Sequence, residues 1–335
     1  MFKKRIIQLL KILVPVGLGV YLVWHIYNQL SPAQRVELFD AFETANYFWV
    51  ILSFFMGLLS HWIRGYRWKF QLEAMGYSPN VANNFMAVMI GYIVNLALPR
   101  VGEVSRAATI AKYEGIPFQK SFGSILSERA LDFIILMTIT VTTLLLQYTL
   151  LKEFSVELLN FAQSKFEGST IWFAAIVGLL LFALGLYLLK RFAHIPLIGK
   201  IRAFVHELLE GLRSIIRMKK RWLYLLATFA IWGLYLAMFY VCFYALEETS
   251  TVGLNAVFAG FVLGSFAIVI VPGGIGAFPA GIMQALLLYG VSAESGFALG
   301  WILWFSQTIM ILLVGGASML LIPLFNKTRL DAPTG

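Results

Sequence analysis

The sequence predicts an all-α, polytopic integral membrane protein with about six full spans and two re-entrant hairpins. Three observations predict it. Of the 335 residues, 60% are hydrophobic and only 13% are charged, whereas soluble domains have about 45–50% apolar and about 25% charged residues. Apolar runs near the roughly 20 residues needed to cross a bilayer recur along the chain. Lysine and arginine are segregated from the acidic loops, the bias that sets membrane orientation.

The full spans are read at Ile12–Leu30, Tyr47–Ile63, Ile125–Leu150, Ile171–Leu189, Trp222–Leu246 and Gly300–Phe325. Lys3, Lys4, Arg5 and Lys11 place the N-terminus in the cytoplasm. The start MFKKRIIQLLK has no small-residue cleavage site behind its apolar run, so it reads as a retained span. Arg64, Arg67 and Lys69 then fall inside, as does Lys190–Arg221 with nine basic and two acidic residues. The opposite loops carry Glu37, Asp40, Glu43, Glu153, Glu157, Glu167, Glu247, Glu248 and Glu294. This parity forces two short segments to turn back. Val81–Pro99 lies between cytoplasmic Lys69 and the basic stretch Arg100–Lys120, so it enters and returns on one side. Leu254–Gly290 starts and ends outside, turning at Pro272–Pro279.

Two surface helices are also legible. Ser31-Pro32-Ala33-Gln34 is a capping box with proline at the first helical position, opening a short outer helix. Residues 199–218 alternate Ile201, Phe204, Val205, Leu208 and Leu212 with Lys200, Arg202, Arg213 and Arg217, a basic amphipathic helix on the inner leaflet. Residues 326–335 form a short cytoplasmic tail, leaving 1–325 as one transmembrane domain.

Several function classes drop out. The one cysteine, Cys242, forms no intrachain disulfide, and His25, His61, His194 and His206 have no metal-ligand spacing. No metal or cofactor is expected. No Walker loop, zinc motif or nucleophile elbow is present, so the chain does not read as an enzyme. The net charge of +9 borders apolar spans, which argues for membrane orientation and against nucleic acid.

The chemistry concentrates between Leu96 and Phe133. Pro99 stops one apolar segment, and a helix from Arg100 to Gly115 carries Arg100, Glu103 and Arg106 three apart, on roughly one face. The next helix places Glu128 and Asp132 at i and i+4, with Arg129 between them. Charges at bilayer depth are expensive and mark substrate paths. An arginine fork matches phosphate bidentately, so arginines interleaved with carboxylates suit a site that exchanges a carboxylate for a lipid phosphate. The other reading is a set of salt bridges clamping two helices. Arg64-Gly-Tyr-Arg67-Trp68-Lys69 reads either as part of that site or as an interfacial anchor of snorkelling arginines. Pro272, Gly273, Gly274 and Gly276 break a helix in mid-membrane, lining a cavity or serving close packing. Gly260/Gly264 and Gly296/Gly300 read as helix contacts.

These residues resemble the flippase-like family named for the transmembrane region of lysylphosphatidylglycerol synthase. The resemblance rests on Arg64 and Arg67, on NLALPRVGEVSRA at Asn95–Ala107, on SERALD at Ser127–Asp132 and on PGGIGA at Pro272–Ala277. It implies a membrane protein handling anionic phospholipids or other lipid-linked head groups. Arg64, Arg67, Asn95, Arg100, Glu103, Arg106, Glu128, Arg129 and Asp132 are then the head-group residues, with Pro272, Gly273, Gly274 and Gly276 at the cavity. The family's glycine motif is often followed by glutamate; Phe278-Pro279 stands there, which removes a head-group contact from this loop. Synthase members carry an aminoacyl-transfer domain that this sequence lacks, so lipid lysylation by this chain is not expected.

The reading is a multi-pass protein of the inner cell membrane, both termini cytoplasmic, that binds or translocates an anionic phospholipid or lipid-linked head group. One alternative is the membrane subunit of a head-group or glycosyl transferase system, with a separately encoded synthase or transferase as partner. The other is a structural membrane subunit.

Overall fold

The computed structural model describes residues 17–98, 101–148, 215 and 217–327. The span at Ile171–Leu189, most of residues 199–218, and both Pro99 and Arg100 lie outside them. Every regular element among the described residues is helical. Apart from the short turns Cys242–Ala245, Glu247–Ser250 and Pro272–Gly274, they are in chain order α1 (17–29), α2 (Pro32–Thr44), α3 (Tyr47–Ala74), α4 (Val81–Ala97), α5 (Gly102–Glu114), α6 (Phe118–Leu146), α7 (Arg221–Val241), α8 (Leu254–Ile270), α9 (Ala277–Leu287) and α10 (Ala293–Phe325). Two compact units divide the chain, residues 1–126 with 215–335, and residues 127–214.

Four described helices are long and apolar enough to cross a membrane: α3, α6, α7 with the 3-10 turn that follows it, and α10. Several are longer than the apolar runs that announced them. α3 continues eleven residues past Ile63, and α10 begins at Ala293 behind the N-cap Ser292. The capping box at Ser31 forms as the sequence implies, with Ser31 and Gln34 bonding reciprocally.

In the larger unit, two helix pairs double back; the first does not turn within Val81–Pro99 as the sequence implies, because α4 is one unbroken helix to Ala97 and α5 makes the return. The backbone N–H of Asn80, just before α4, donates to the Glu114 carboxylate at the end of α5 (3.1 Å). Entry and exit of this pair therefore lie together. The second pair closes in the same way, because Glu248 before α8 accepts from the backbone N–H (2.6 Å) and hydroxyl (2.7 Å) of Ser292 after α9. Burial alone would raise the Glu248 carboxyl, but hydrogen bonds from Ser295 and Ser292 outweigh it and hold this group below the usual carboxylate range. α4 and α8 have 17 residues each, about 26 Å of helix, short of the roughly 30 Å hydrocarbon layer.

The remaining contacts sort these ends. At one end Lys220 donates to Glu73 (2.8 Å), and Asn83 and Asn326 exchange amide hydrogen bonds of 2.8 Å. Asn326 thus packs into the bundle at the point where the tail begins. The hydrogen bond to Glu73 raises the Lys220 amine above its ordinary value. At the other end Asn46 donates to the Ala245 carbonyl (2.8 Å) and Gln34 to Glu294 (3.2 Å).

Small residues let the pairs close. A Cβ on Gly102 would stand 2.1 Å from the Gly91 carbonyl oxygen, so α5 starts directly on α4. Gly264 faces Phe278 and Ile282 of α9, while Gly300 faces Pro279; the two GxxxG spacings are helix contacts. Replacing Gly102 by Ala should force α4 and α5 apart at a cost of about 1–3 kcal/mol. Gly233→Ala is the control, since nothing lies within 4 Å of its would-be Cβ. It should be neutral or stabilise by up to about 1 kcal/mol. Thermal unfolding of both variants in detergent micelles checks the contrast.

Candidate functional site

The larger unit concentrates its buried charge on one face of α3. Positions 61, 64 and 68 follow helical spacing, and Arg67 lies beside them. The helix does not end at Arg64 as the apolar run suggests. It carries Arg64 and Arg67 into the protein, 2% and 0% exposed. The anchor reading therefore fails: snorkelling arginines hold their guanidiniums in water.

Each guanidinium has polar or aromatic groups beside it. Arg67 donates to the Thr228 hydroxyl (2.9 Å) and lies 5.3 Å from the Tyr224 ring centre, both on α7. Thr228 in turn donates to the Tyr224 carbonyl (2.8 Å), which fixes the lone pair that Arg67 uses. Arg64 donates to the Tyr235 hydroxyl (3.2 Å). Arg106 of α5, 3% exposed, stacks its guanidinium 3.9 Å from the Trp68 ring centre. Such a cation–π contact is worth about 2 kcal/mol or more when desolvated. Trp68 is itself fixed by its indole N–H, which donates to Ser124 at the start of α6 (2.7 Å). Around it packs an apolar cluster of Leu72, Ala87, Val88, Ala107, Ile110 and Ile125.

Asn95 organises the start of α5. Its side-chain oxygen accepts from the Gly102 backbone N–H (2.8 Å), and its amide donates to Glu103 (3.4 Å). An α4 side chain thereby caps α5 and aims its first carboxylate. Arg100 lies outside the described residues. Glu128, Arg129 and Asp132 belong to the smaller unit, where Glu128 and Asp132 are buried and Arg129 is half-buried on α6.

The glycine break sits at the tip of the second helix pair. Gly273, Gly274 and Gly276 all have positive φ, near +70°, a region that costs any residue with a Cβ. The Gly273 carbonyl, left over by the broken helix, accepts from the Trp304 indole of α10 (2.7 Å). Gly276 packs against Gly19 of α1, and a Cβ on Gly273 would stand 4.0 Å from Leu96 near the end of α4. The two helix pairs thus meet tip to tip. Nearer the acidic end, a cleft of about 450 Å³ lined by Phe42, Tyr47, Phe54, Phe305 and Ile309 offers hydrocarbon and no charge.

His61, Tyr92, Ser124, Tyr224, Thr228 and Tyr235 are site neighbours that the sequence does not single out. The 61-64-68 spacing on a face shared with Arg64 was the available signal for the α3 members. Chemically, buried guanidiniums on aromatic and hydroxyl supports suit recognition of an anion. Among the described residues no cluster of His, Cys, Asp and Glu could hold a metal ion. Thr228→Val removes the acceptor of Arg67 at nearly constant shape and should cost about 1.5–3 kcal/mol. Thr228→Ser, which keeps the hydroxyl, should stay near wild type in the same thermal unfolding assay.

The chain is 37% identical over 95 residues to a UPF0104 membrane protein of Methanocaldococcus jannaschii. The match covers 28% of this chain and spans 28% of that relative's length. No solved structure matches the chain. The family described as the lysylphosphatidylglycerol synthase TM region matches residues 10–315. With nearly its whole length matched, the chain belongs to the lysylphosphatidylglycerol synthase TM region family.

Proposed function

We propose that this protein binds the phosphate of an anionic phospholipid or lipid-linked head group at Arg64, Arg67 and Arg106, and carries it across the membrane. The observation that carries the reading is the burial of three guanidiniums, each 3% exposed or less, within a membrane-embedded unit. Arginine matches phosphate oxygens bidentately. Family membership points to a membrane, lipid-related role. Asn95 and Glu103 position the start of α5, and Arg106 with it. The described state is closed around the arginines, so head-group entry parts α5 from α3. The chemistry is binding and transfer without bond cleavage; a separately encoded synthase or transferase would supply or consume the lipid.

Two measurements test this. Purified wild type should gain thermal stability from added phosphatidylglycerol and far less from phosphatidylcholine. Arg67→Gln and Arg106→Gln should each lose about 1.5–3 kcal/mol of lipid affinity, roughly ten- to a hundredfold. Equal lipid-induced gains in wild type and both variants would leave the arginines as a structural clamp.

The proposed orientation puts both termini and the end that holds Lys112, Lys220 and Asn326 in the cytoplasm of a cell membrane, following the positive-inside bias. In a Cys242→Ala background, cysteines at Lys112 and Glu248 should react with impermeant reagent from opposite sides. Labelling of both from outside would overturn this topology.

A further inference from the structure

One buried titratable group beside these arginines has no part in the reading above. His61 lies on α3, one turn before Arg64, and is 6% exposed. Its ring centre is 4.5 Å from that of Tyr92 on α4 and 6.2 Å from that of Tyr235 on α7. Tyr235 is also the group that receives the Arg64 hydrogen bond (3.2 Å), with its ring centre 5.9 Å from that guanidinium. One tyrosine therefore joins the imidazole to a head-group arginine.

The neighbouring elements limit what else can titrate near it. Tyr92 is the one titratable residue of α4. α7 contributes Tyr224, Tyr235, Tyr240 and Arg221, of which Tyr235 meets the imidazole. Past Glu294 at its first turn, α10 contains no titratable residue. The 3-10 turn Cys242–Ala245 brings Cys242 and Tyr244 against the opposite end of α3. α3 itself adds Arg64, Tyr66, Arg67, Lys69 and Glu73, and α5, which meets α3 where Arg106 stacks on Trp68, adds Glu103 and Arg106. Of all these groups, only an imidazole ordinarily changes charge near neutral pH.

We infer that His61 is a proton-linked member of the head-group site, taking up a proton as the anionic phosphate binds beside Arg64. The inference rests on the head-group reading. A phosphate bound at these arginines brings negative charge near the imidazole, and nearby negative charge favours the imidazolium. The proton comes from solvent and leaves when the head group leaves; no bond of the lipid is made or broken. By linkage, the proton and the phosphate each raise the other's affinity by the same factor. Lipid binding then strengthens as pH falls through the imidazole range, and a pH difference across the membrane biases where the head group is released.

Calorimetric titration of the purified full chain in detergent with short-chain phosphatidylglycerol, whose phosphodiester stays ionised throughout, tests this. Titrations near pH 6.5 in buffers of different ionisation enthalpy count protons directly. Wild type should take up a substantial fraction of one proton per lipid, and its affinity should rise as pH falls, by at most about tenfold per unit. In His61→Gln the proton count should fall to near zero and the pH slope should flatten. His61→Asn is the alternative should the glutamine variant fold poorly. Lipid binding by wild type without proton uptake would overturn the inference and leave the head-group reading intact, as would undiminished uptake in either variant. No binding by wild type at any pH would remove the head-group reading itself, and this inference with it.

Discussion

Hydrocarbon offers no partner for a backbone N–H or C=O, and this constraint governs the architecture. A straight helix satisfies it alone, which is why α3, α6, α7 and α10 can be long and apolar. A helix that stops inside the layer cannot. α8 stops at Ile270, and the turn at Pro272–Gly274 leaves carbonyls to be met from elsewhere. The Trp304 indole meets the one at Gly273. The positive φ angles of Gly273, Gly274 and Gly276 compress the reversal, and the missing Cβ of Gly276 admits α1 at Gly19. α4 and α5 solve the same problem with a side chain, Asn95, which caps the helix that follows.

Charge obeys a parallel rule. Arg64, Arg67 and Arg106 lie where exposure to lipid would be prohibitive, so each is enclosed by protein. Their supports differ in kind. Thr228 and Tyr235 offer oxygen lone pairs, while Trp68 and Tyr224 offer π faces. A face-on aromatic partner stabilises a guanidinium while leaving its in-plane N–H donors pointing outward from the ring. Arg106 over Trp68 is a support of the second kind. The Trp68–Ser124 hydrogen bond sets the plane of that stack.

Spans were legible in the sequence because crossing hydrocarbon demands little beyond length and apolarity. Their ends were less so, since helical hydrogen bonding does not stop where hydrocarbon stops: α3 runs on from Ile63 to Ala74, and α10 starts seven residues before Gly300. The doubling back of α8–α9 was also readable from the charges on either side of it, whereas the first turn was placed too early: α4 runs unbroken to Ala97 and the basic segment read as cytoplasmic supplies the returning helix α5. At the site, the arginines announce themselves as charges within an apolar chain. Thr228, Tyr235 and His61 do not. A single hydroxyl or ring in a membrane helix carries no pattern, and it acquires a role only when a neighbouring helix delivers a guanidinium to it. The reading of Arg64 and Arg67 as alternative anchors failed for the same reason: sequence shows how far the apolar run extends but not what packs beyond it.

Where the helix pairs enter, polar groups lock them: Asn83 with Asn326, Asn80 and Asn83 with Glu114, and Ser292 with Glu248. A hydrogen bond to a charged group is worth about 1.5–3 kcal/mol. At the tips, a Cβ on Gly273 would stand 4.0 Å from Leu96. The same α4 that ends beside Leu96 carries Asn95, whose side chain holds the first turn of α5 and hence the helix that bears Arg106. Displacement of the end of α4 is in this way coupled through one amide to the placement of a buried cation, by bonds that are all local.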